Sequence, residues 1–323
     1  MTNASPAVLQ VAADAEAACR RIGDRVSRTA CLPSRHRAGL WFKTENFQQT
    51  GSFKLRGAMS VLTTLDPGIE IITASSGNHG IACSQAAMTT GHSLTVVVPK
   101  TVADAKLEKI RSYGTRVVLH GDDPGQAEQH ARRLAADTGC FYVSPYNDAM
   151  VMAGQGTIGL ELLEQLPAID NLFISLGGGG LVSGVGSVIK AASPDTRIIG
   201  VSATNTAALA ASIRAGRVVE TEHLDTLADG CAGGVDEDAL TLPIAAEVID
   251  ELVHCSEEEI GAALYQIAWQ EKMLVEGAAA LAYAGYLAAT ERYADQVNVV
   301  LLCGSNFDES VVQPIVGKPA SAG

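Results

Sequence analysis

The chain has 323 residues, more than one hydrophobic core usually spans, so two domains are expected. Hydrophobic residues make up 47% and charged residues 18%, the balance of a globular enzyme and not of a disordered chain. A formal net charge of −13, with no Lys/Arg cluster to form a basic face, argues against a nucleic-acid partner. In chain order, short apolar runs predict strands over 69–74, 94–98, 117–119, 141–143, 172–176, 197–201, 251–255 and 298–302. Longer segments between them predict helices over 78–89, 103–113, 125–138, 156–166, 181–192 and 256–272. This alternation implies α/β architecture with parallel sheets and helices on both faces. Ser256 followed by Glu257, Glu258 and Glu259 reads as a capped helix start with acids at the positive end of the dipole. The tail 318–323 is expected to be disordered.

The cysteines number seven, are widely spaced and contain no C-x-x-C pair, so neither a disulfide framework nor a zinc site is expected and a reducing cytoplasm is the simplest setting. Asp14 and Glu16 precede any long apolar run, which does not fit a secretory signal. The longest apolar stretch, 277–289, is shorter than the roughly 20 residues a bilayer span takes, so no membrane partner is expected.

Four motifs carry the chemistry. Lys54 lies in a Gly/Ser-rich turn ahead of a helix-like run that starts at Leu55. Taken alone it reads as a solvated helix-start residue. Withdrawn from water at a positively polarised helix start, it would have a lowered pKa and a neutral amine ready to attack a carbonyl. Ser75, Ser76, Gly77, Asn78 and His79 follow an apolar strand and open a helix, where free N–H groups can bind a carboxylate. A plain helix cap would need only one of these residues, and His79 alone would read as a packed histidine. Gly177, Gly178, Gly179 and Gly180 follow another strand and can turn several N–H groups toward one phosphate. The dinucleotide fingerprint fails here, because its sixth position is Val182 or Ser183, and no G-K-[ST] follows for a P-loop. Cys303, Gly304, Ser305 and Asn306 end the last strand, where open α/β sheets bind ligands.

In this order the four motifs resemble the fold-type II pyridoxal-phosphate enzymes, in the threonine/serine dehydratase and serine racemase branch. The resemblance runs from about Trp41 to Asn306 and rests most on 51–57, on 75–80 and on the glycine tetrad. Supporting matches are 153–157, 226–230 and 275–278. The resemblance implies a tryptophan-synthase-β-like fold of two three-layer α/β/α domains with mostly parallel sheets. Residues 1–66 and 148–323 would form the large cofactor-binding domain and 67–147 the small, substrate-clamping one. The implied cofactor is pyridoxal 5'-phosphate. Lys54 would hold it as a Schiff base, Phe53 would pack near its ring and Asn78 would bond its ring hydroxyl. Gly177, Gly178, Gly179 and Gly180 would take its phosphate, and Cys303 would face its pyridine nitrogen. Ser75, Ser76, Gly77, Asn78 and His79 would hold the substrate carboxylate, with Lys54 and Ser76 as the catalytic residues.

The implied activity is loss of water from a 3-hydroxy amino acid, followed by hydrolysis of the resulting enamine to a 2-oxo acid and ammonia. Threonine and serine lead the candidates; 3-hydroxyaspartate, phenylserine and a hydroxyectoine breakdown product stay open. Tyr146, Asn147 and Asp148 lie in a loop that could approach the substrate side chain. Relatives imply a cytoplasmic homodimer. Racemase-like members bind a divalent cation through acids that here read Ser202 and Ala208, so no metal site is expected. A racemase on the same scaffold is the main alternative, since Ser76 matches the racemases' second acid/base. β-Replacement, a nicotinamide oxidoreductase and a non-catalytic cofactor binder fit the motifs less well. A regulatory domain of the biosynthetic threonine deaminase type is not expected after Asn306.

Overall fold

A computed structural model describes residues 4–317. The tail 318–323 lies outside the described residues. Two sheets organise the chain. The larger takes strands β1 (Cys31–Pro33), β2 (Leu40–Lys43), β7 (Asn171–Ser175), β8 (Arg197–Ala203), β9 (Glu251–Cys255) and β10 (Asn298–Leu301) in the order β1-β2-β10-β7-β8-β9. Only the β1–β2 pairing is antiparallel. The smaller sheet is wholly parallel, in the order β5-β4-β3-β6, from β3 (Ile71–Ala74), β4 (Leu94–Val98), β5 (Arg116–Leu119) and β6 (Phe141–Tyr142). Every residue of β7 is buried, as a strand covered on both sides requires.

The helices are α1 (Pro6–Ile22), α2 (Lys54–Leu62), α3 (Asn78–Thr90), α4 (Asp104–Arg111), α5 (Pro124–Thr138), α6 (Ala149–Gln165), α7 (Gly180–Ala192), α8 (Ala208–Ala215), α9 (Thr241–Val248), α10 (Glu257–Gln266), α11 (Gly277–Leu287) and α12 (Glu309–Val316). Helices α1, α6 and α7 pack together, while α11 lies across β7, β8, β9 and β10. Among the described residues no helix is long and apolar enough to cross a membrane.

Several expected elements need correction. The helix expected over 156–166 begins at Ala149, where Asp148 caps it by accepting from the N–H groups of Met150 and Val151. The run expected as one helix over 256–272 is α10 followed by a π-helical turn, Ile267–Glu271, which ends at Lys272 with φ +62. Ser256 does form the expected capping box with Glu259. Helix α1 has no counterpart among the expected elements, although Val8, Val11, Ala15, Ala18 and Ile22 bury one stripe at helical spacing.

The two cores meet along α2 and α6. Leu55, Ala58, Met59 and Leu62 of α2 join Ile71, Val96 and Val98 in the core of the smaller sheet, while Phe53, one residue earlier, belongs to the larger core. Each buried Leu or Met of this kind stabilises the wedge by about 1.5–3 kcal/mol. Lys54 therefore starts a helix that is gripped from both sides.

Candidate active site

The segment that leads into Lys54 is laced to the carboxyl end of β10. Ser52 bridges Gly304, Phe53 N donates to Cys303 O at 3.0 Å, and Ser305 N donates to Gly51 O at 2.8 Å. Asn306 Nδ2 donates to Thr50 O at 2.8 Å. These bonds hold the first and fourth motifs together, and α2 then carries the Lys54 side chain into a cleft. Phe53, Lys54, Asn78, the four glycines and Cys303 all line it, joined by Tyr146, Cys231 and Glu276. A larger hollow lies beside Glu70, His92 and Arg116 of the smaller sheet's unit. Its lining has no lysine, whereas the smaller cleft gathers Lys54 and the glycine loop.

Lys54 Nζ donates to Pro145 O at 2.8 Å and sits 5.2 Å from the centre of the Phe53 ring. Burial pulls its pKa below the ordinary lysine value, against the opposing influence of Cys231, Cys83, Cys303 and Glu276. The result is an amine biased toward its neutral, nucleophilic form.

The glycine loop joins β7 to α7. Gly179 adopts φ +92 as the N-cap of α7, a conformation costly for any residue with a Cβ. A Cβ on Gly178 would stand 2.5 Å from the Tyr146 ring. Bare backbone thus packs under an aromatic ring, and the first N–H groups of α7 have no partner within the helix. Such a terminus attracts phosphate through its free donors and its dipole.

Asn78 stands at the first position of α3. Its Nδ2 donates to Glu276 Oε1 at 2.8 Å and to Oε2 at 3.0 Å, and its Oδ1 accepts from Asn306 Nδ2 at 2.7 Å. Of residues 75–79, only Asn78 lines the cleft wall; Ser75, Ser76 and Gly77 form the turn just before it. The Ser75 hydroxyl accepts from Gly77 N at 3.1 Å. The half-buried Ser76 hydroxyl has no hydrogen-bond partner among the described residues. The His79 ring is spent inside the fold, with Nε2 3.2 Å from Val143 O and Cys83 Sγ 3.5 Å from the same nitrogen. Burial, aided by nearby Lys54, holds its pKa down to about 3, so the imidazole is neutral. What His79 has left for a ligand is its backbone N–H.

Glu276 was embedded in a supporting match without a role of its own. It is 3% exposed, accepts from Asn306 N at 3.0 Å and lies 4.0 Å from Cys303 Sγ. Burial is the main cause of a pKa pushed up to about 7; Asp229 adds to the rise, and the bonds from Asn78 and Asn306 oppose it. Cys303 is buried, which raises its thiol well above the ordinary value, with Glu276 contributing. Position 303 therefore offers a neutral S–H. Of Tyr146, Asn147 and Asp148, only Tyr146 reaches the cleft; its hydroxyl accepts from Asp236 N at 2.8 Å. Ser202 is buried on β8 opposite His254, and Ala208 opens α8. Among the described residues no three His, Cys, Asp or Glu side chains converge as a metal site.

The arrangement fits pyridoxal phosphate: a poised amine, a backbone anion cradle that side chains would fill, an amide and a neutral thiol, all on one cleft. Comparison with known proteins agrees. Residues 23–304 match the family profile described as "Pyridoxal-phosphate dependent enzyme". The L-threonine ammonia-lyase of Thermotoga maritima is 38% identical over 86% of this chain and 70% of its own length. The processed form of threonine deaminase isoform 2 from Solanum lycopersicum superposes with a TM-score of 0.91 at 31% identity, covering 98% of this chain and 94% of that one. Maize serine racemase superposes with a TM-score of 0.87 at 29% identity, covering 94% and 95%. The cleft and these likenesses together establish that the chain belongs to the pyridoxal-phosphate-dependent enzyme family.

Proposed function

We propose that this chain is an ammonia-lyase that converts a 3-hydroxy amino acid, threonine or serine first, to a 2-oxo acid and ammonia. The observation that carries this reading is Lys54 Nζ, a half-buried amine in a cleft bounded by the glycine loop and by a thiol. Pyridoxal phosphate, when bound, supplies the electrophilic carbon that takes the substrate amine and the sink for electrons released at Cα. Gly177, Gly178, Gly179 and Gly180 would hold its phosphate, Phe53 its ring, Asn78 its ring hydroxyl and Cys303 its ring nitrogen.

The chain's own residues then have the following tasks. The N–H groups of the turn at Ser75, Ser76, Gly77, Asn78 and His79 bind the substrate carboxylate at the positive end of α3. Lys54 Nζ, as neutral amine, takes the Cα proton. Phe53 and Tyr146 keep water from the reacting carbon. A neutral thiol at position 303 gives the ring nitrogen no negative partner, which limits charge delocalisation and favours prompt loss of the β-hydroxyl. Residues 1–66 and 148–323 act as the cofactor-holding part and 67–147 as the clamp, with α2 between them. The seven free cysteines suit a reducing, cytoplasmic setting.

A racemase on this scaffold is the second reading, and the unpartnered Ser76 hydroxyl favours it. A panel of both enantiomers of threonine, serine, 3-hydroxyaspartate and phenylserine separates the two. Two-oxo acid release from L-threonine or L-serine is expected. Lys54→Ala should cut it at least about 10³-fold, because nucleophile and base are lost together. Formation of the opposite enantiomer without 2-oxo acid would overturn the assignment.

A further inference from the structure

We infer that Glu276 is the positioning residue that fixes which end of the Asn78 amide is turned to the cofactor. The inference rests on the reading that the cleft holds pyridoxal phosphate on Lys54. An asparagine amide has a donor end and an acceptor end, and only its neighbours decide the flip. Here the neighbours act from both sides. Asn306 Nδ2 donates to Asn78 Oδ1, and Thr50 O orients that same nitrogen. Both Glu276 oxygens lie within 3.0 Å of Asn78 Nδ2. The two oxygens of one carboxylate can share a single N–H, and the second N–H is then the one the amide offers to a cofactor oxygen. A flipped amide would set Oδ1 against the Glu276 oxygens and Nδ2 against the Asn306 nitrogen, acceptor to acceptor and donor to donor.

The location of Glu276 supports a role in the cleft over a structural one. It is the N-cap of α11, where a side chain ordinarily accepts from the first helix N–H groups, yet it makes no capping bond. Its carboxyl is committed to Asn78, to Asn306 N and to the neighbourhood of Cys303 instead. Burial places its ionisation near neutrality. The other titratable groups that face it are Asp229 and Cys231 from the 3-10 turn Asp229–Cys231, Lys54 at the start of α2, and Cys303 after β10. Ionised, Glu276 enforces the donor orientation of Asn78; protonated, it loses one acceptor oxygen and the hold weakens.

The test is the absorption spectrum of the holoenzyme against pH, without substrate. Its band ratio reports where the proton shared by the cofactor's ring oxygen and the Lys54 nitrogen lies, and should titrate through neutrality in the wild type. Glu276→Gln should flatten that titration and weaken cofactor affinity about tenfold, the worth of one misdirected hydrogen bond. Glu276→Asp should restore a titration with a displaced midpoint, and it decides the matter if the Gln variant fails to fold. A Gln or Asp variant with the wild-type midpoint and affinity overturns the inference alone. A wild-type chain in which borohydride traps no cofactor on Lys54 overturns the underlying reading and this inference with it.

Discussion

A thiol at position 303 has consequences that depend on its neighbour. Cys303 Sγ lies 4.0 Å from Glu276 Oε1, so any acid placed at 303 would share its surroundings with a second buried carboxyl. Two such groups cannot both ionise cheaply, and the pair would hold one proton between them. Cys303→Asp would still set a net negative charge near the ring nitrogen and strengthen the electron sink. Elimination is then expected to slow by roughly tenfold or more, with half-transamination of the cofactor rising beside it. The ratio of 2-oxo acid to pyridoxamine phosphate measures this, and an unchanged ratio would count against the role given to the thiol. At this scale the sequence pointed to Lys54 through a Gly/Ser-rich turn before a helix, and to Asn78, the glycines and Cys303 through motifs that follow strands, and the fold brings all of them to one cleft. Glu276 escaped notice because a glutamate ahead of an apolar helix reads as an ordinary first-turn acid. Only the fold turns it back across the cleft to Asn78.

The orientation of α2 depends on charges buried beneath it. Arg56 donates to both Glu45 oxygens at 2.8 Å and to Glu161 Oε1 at 2.7 Å, while Lys43 Nζ bonds Glu161 Oε2. Burial works against the Glu45 carboxylate, and Arg56 overcomes it, holding the pKa below the ordinary value. Glu45 thus contributes stability that is present above its unfolded pKa and lost as pH falls through the lower folded one. Arg56→Ala reverses the sign. Glu45 would be left buried with only the Thr29 hydroxyl and the charge of Lys43 to support it, its folded pKa would rise, and the variant should lose about 3–5 kcal/mol at neutral pH. Part of that loss should return on acidification as Glu45 takes a proton. Urea midpoints at neutral and mildly acidic pH check both statements, and a variant that weakens further in acid would sink the account.

The strand-helix alternation was legible for the same reason this network was not: apolar periodicity is local, whereas ion pairs join residues far apart in sequence. The late start expected for α6 shows a second limit. Gly154, just ahead of the expected start, looks like a helix breaker, yet a Cβ on Gly154 would meet Arg56 O at 2.4 Å and one on Gly156 would meet Ala15 at 2.7 Å. Close helix packing requires them, and sequence alone does not display the partner helices. Strands β1 and β2 are short, and β2 is stabilised mainly by pairing with β10 from the far end of the chain.

Over the whole molecule, charged contacts from one loop join the smaller sheet's helices to residues next to the cleft lining. Asp229 and Asp236, from the chain between α8 and α9, face Lys106 on α4 at 3.9 Å and Arg132 on α5 at 2.9 Å. Asn147 Nδ2 adds a bond to Asp236 at 3.1 Å, and Asp236 N donates to the Tyr146 hydroxyl that backs the glycine loop. A single acidic loop thereby ties the smaller sheet's helices to the residues around the proposed phosphate cradle. Arg132 is the strongest link, because it also pairs with Glu128 and stacks over the Tyr142 ring at 4.7 Å. Its side chain is 40% exposed, so the pair with Asp236 is screened and worth about 0.2–1 kcal/mol. Arg132→Ala should therefore raise KM by roughly two- to fivefold with little change in kcat, the pattern of weakened closure around substrate. Added salt should raise the wild-type KM in the same direction and affect the variant less, since the charge that salt screens is already gone. Steady-state kinetics across a salt series measures both. Equal KM values and equal salt slopes would show that the loop holds the cleft by packing and not by charge.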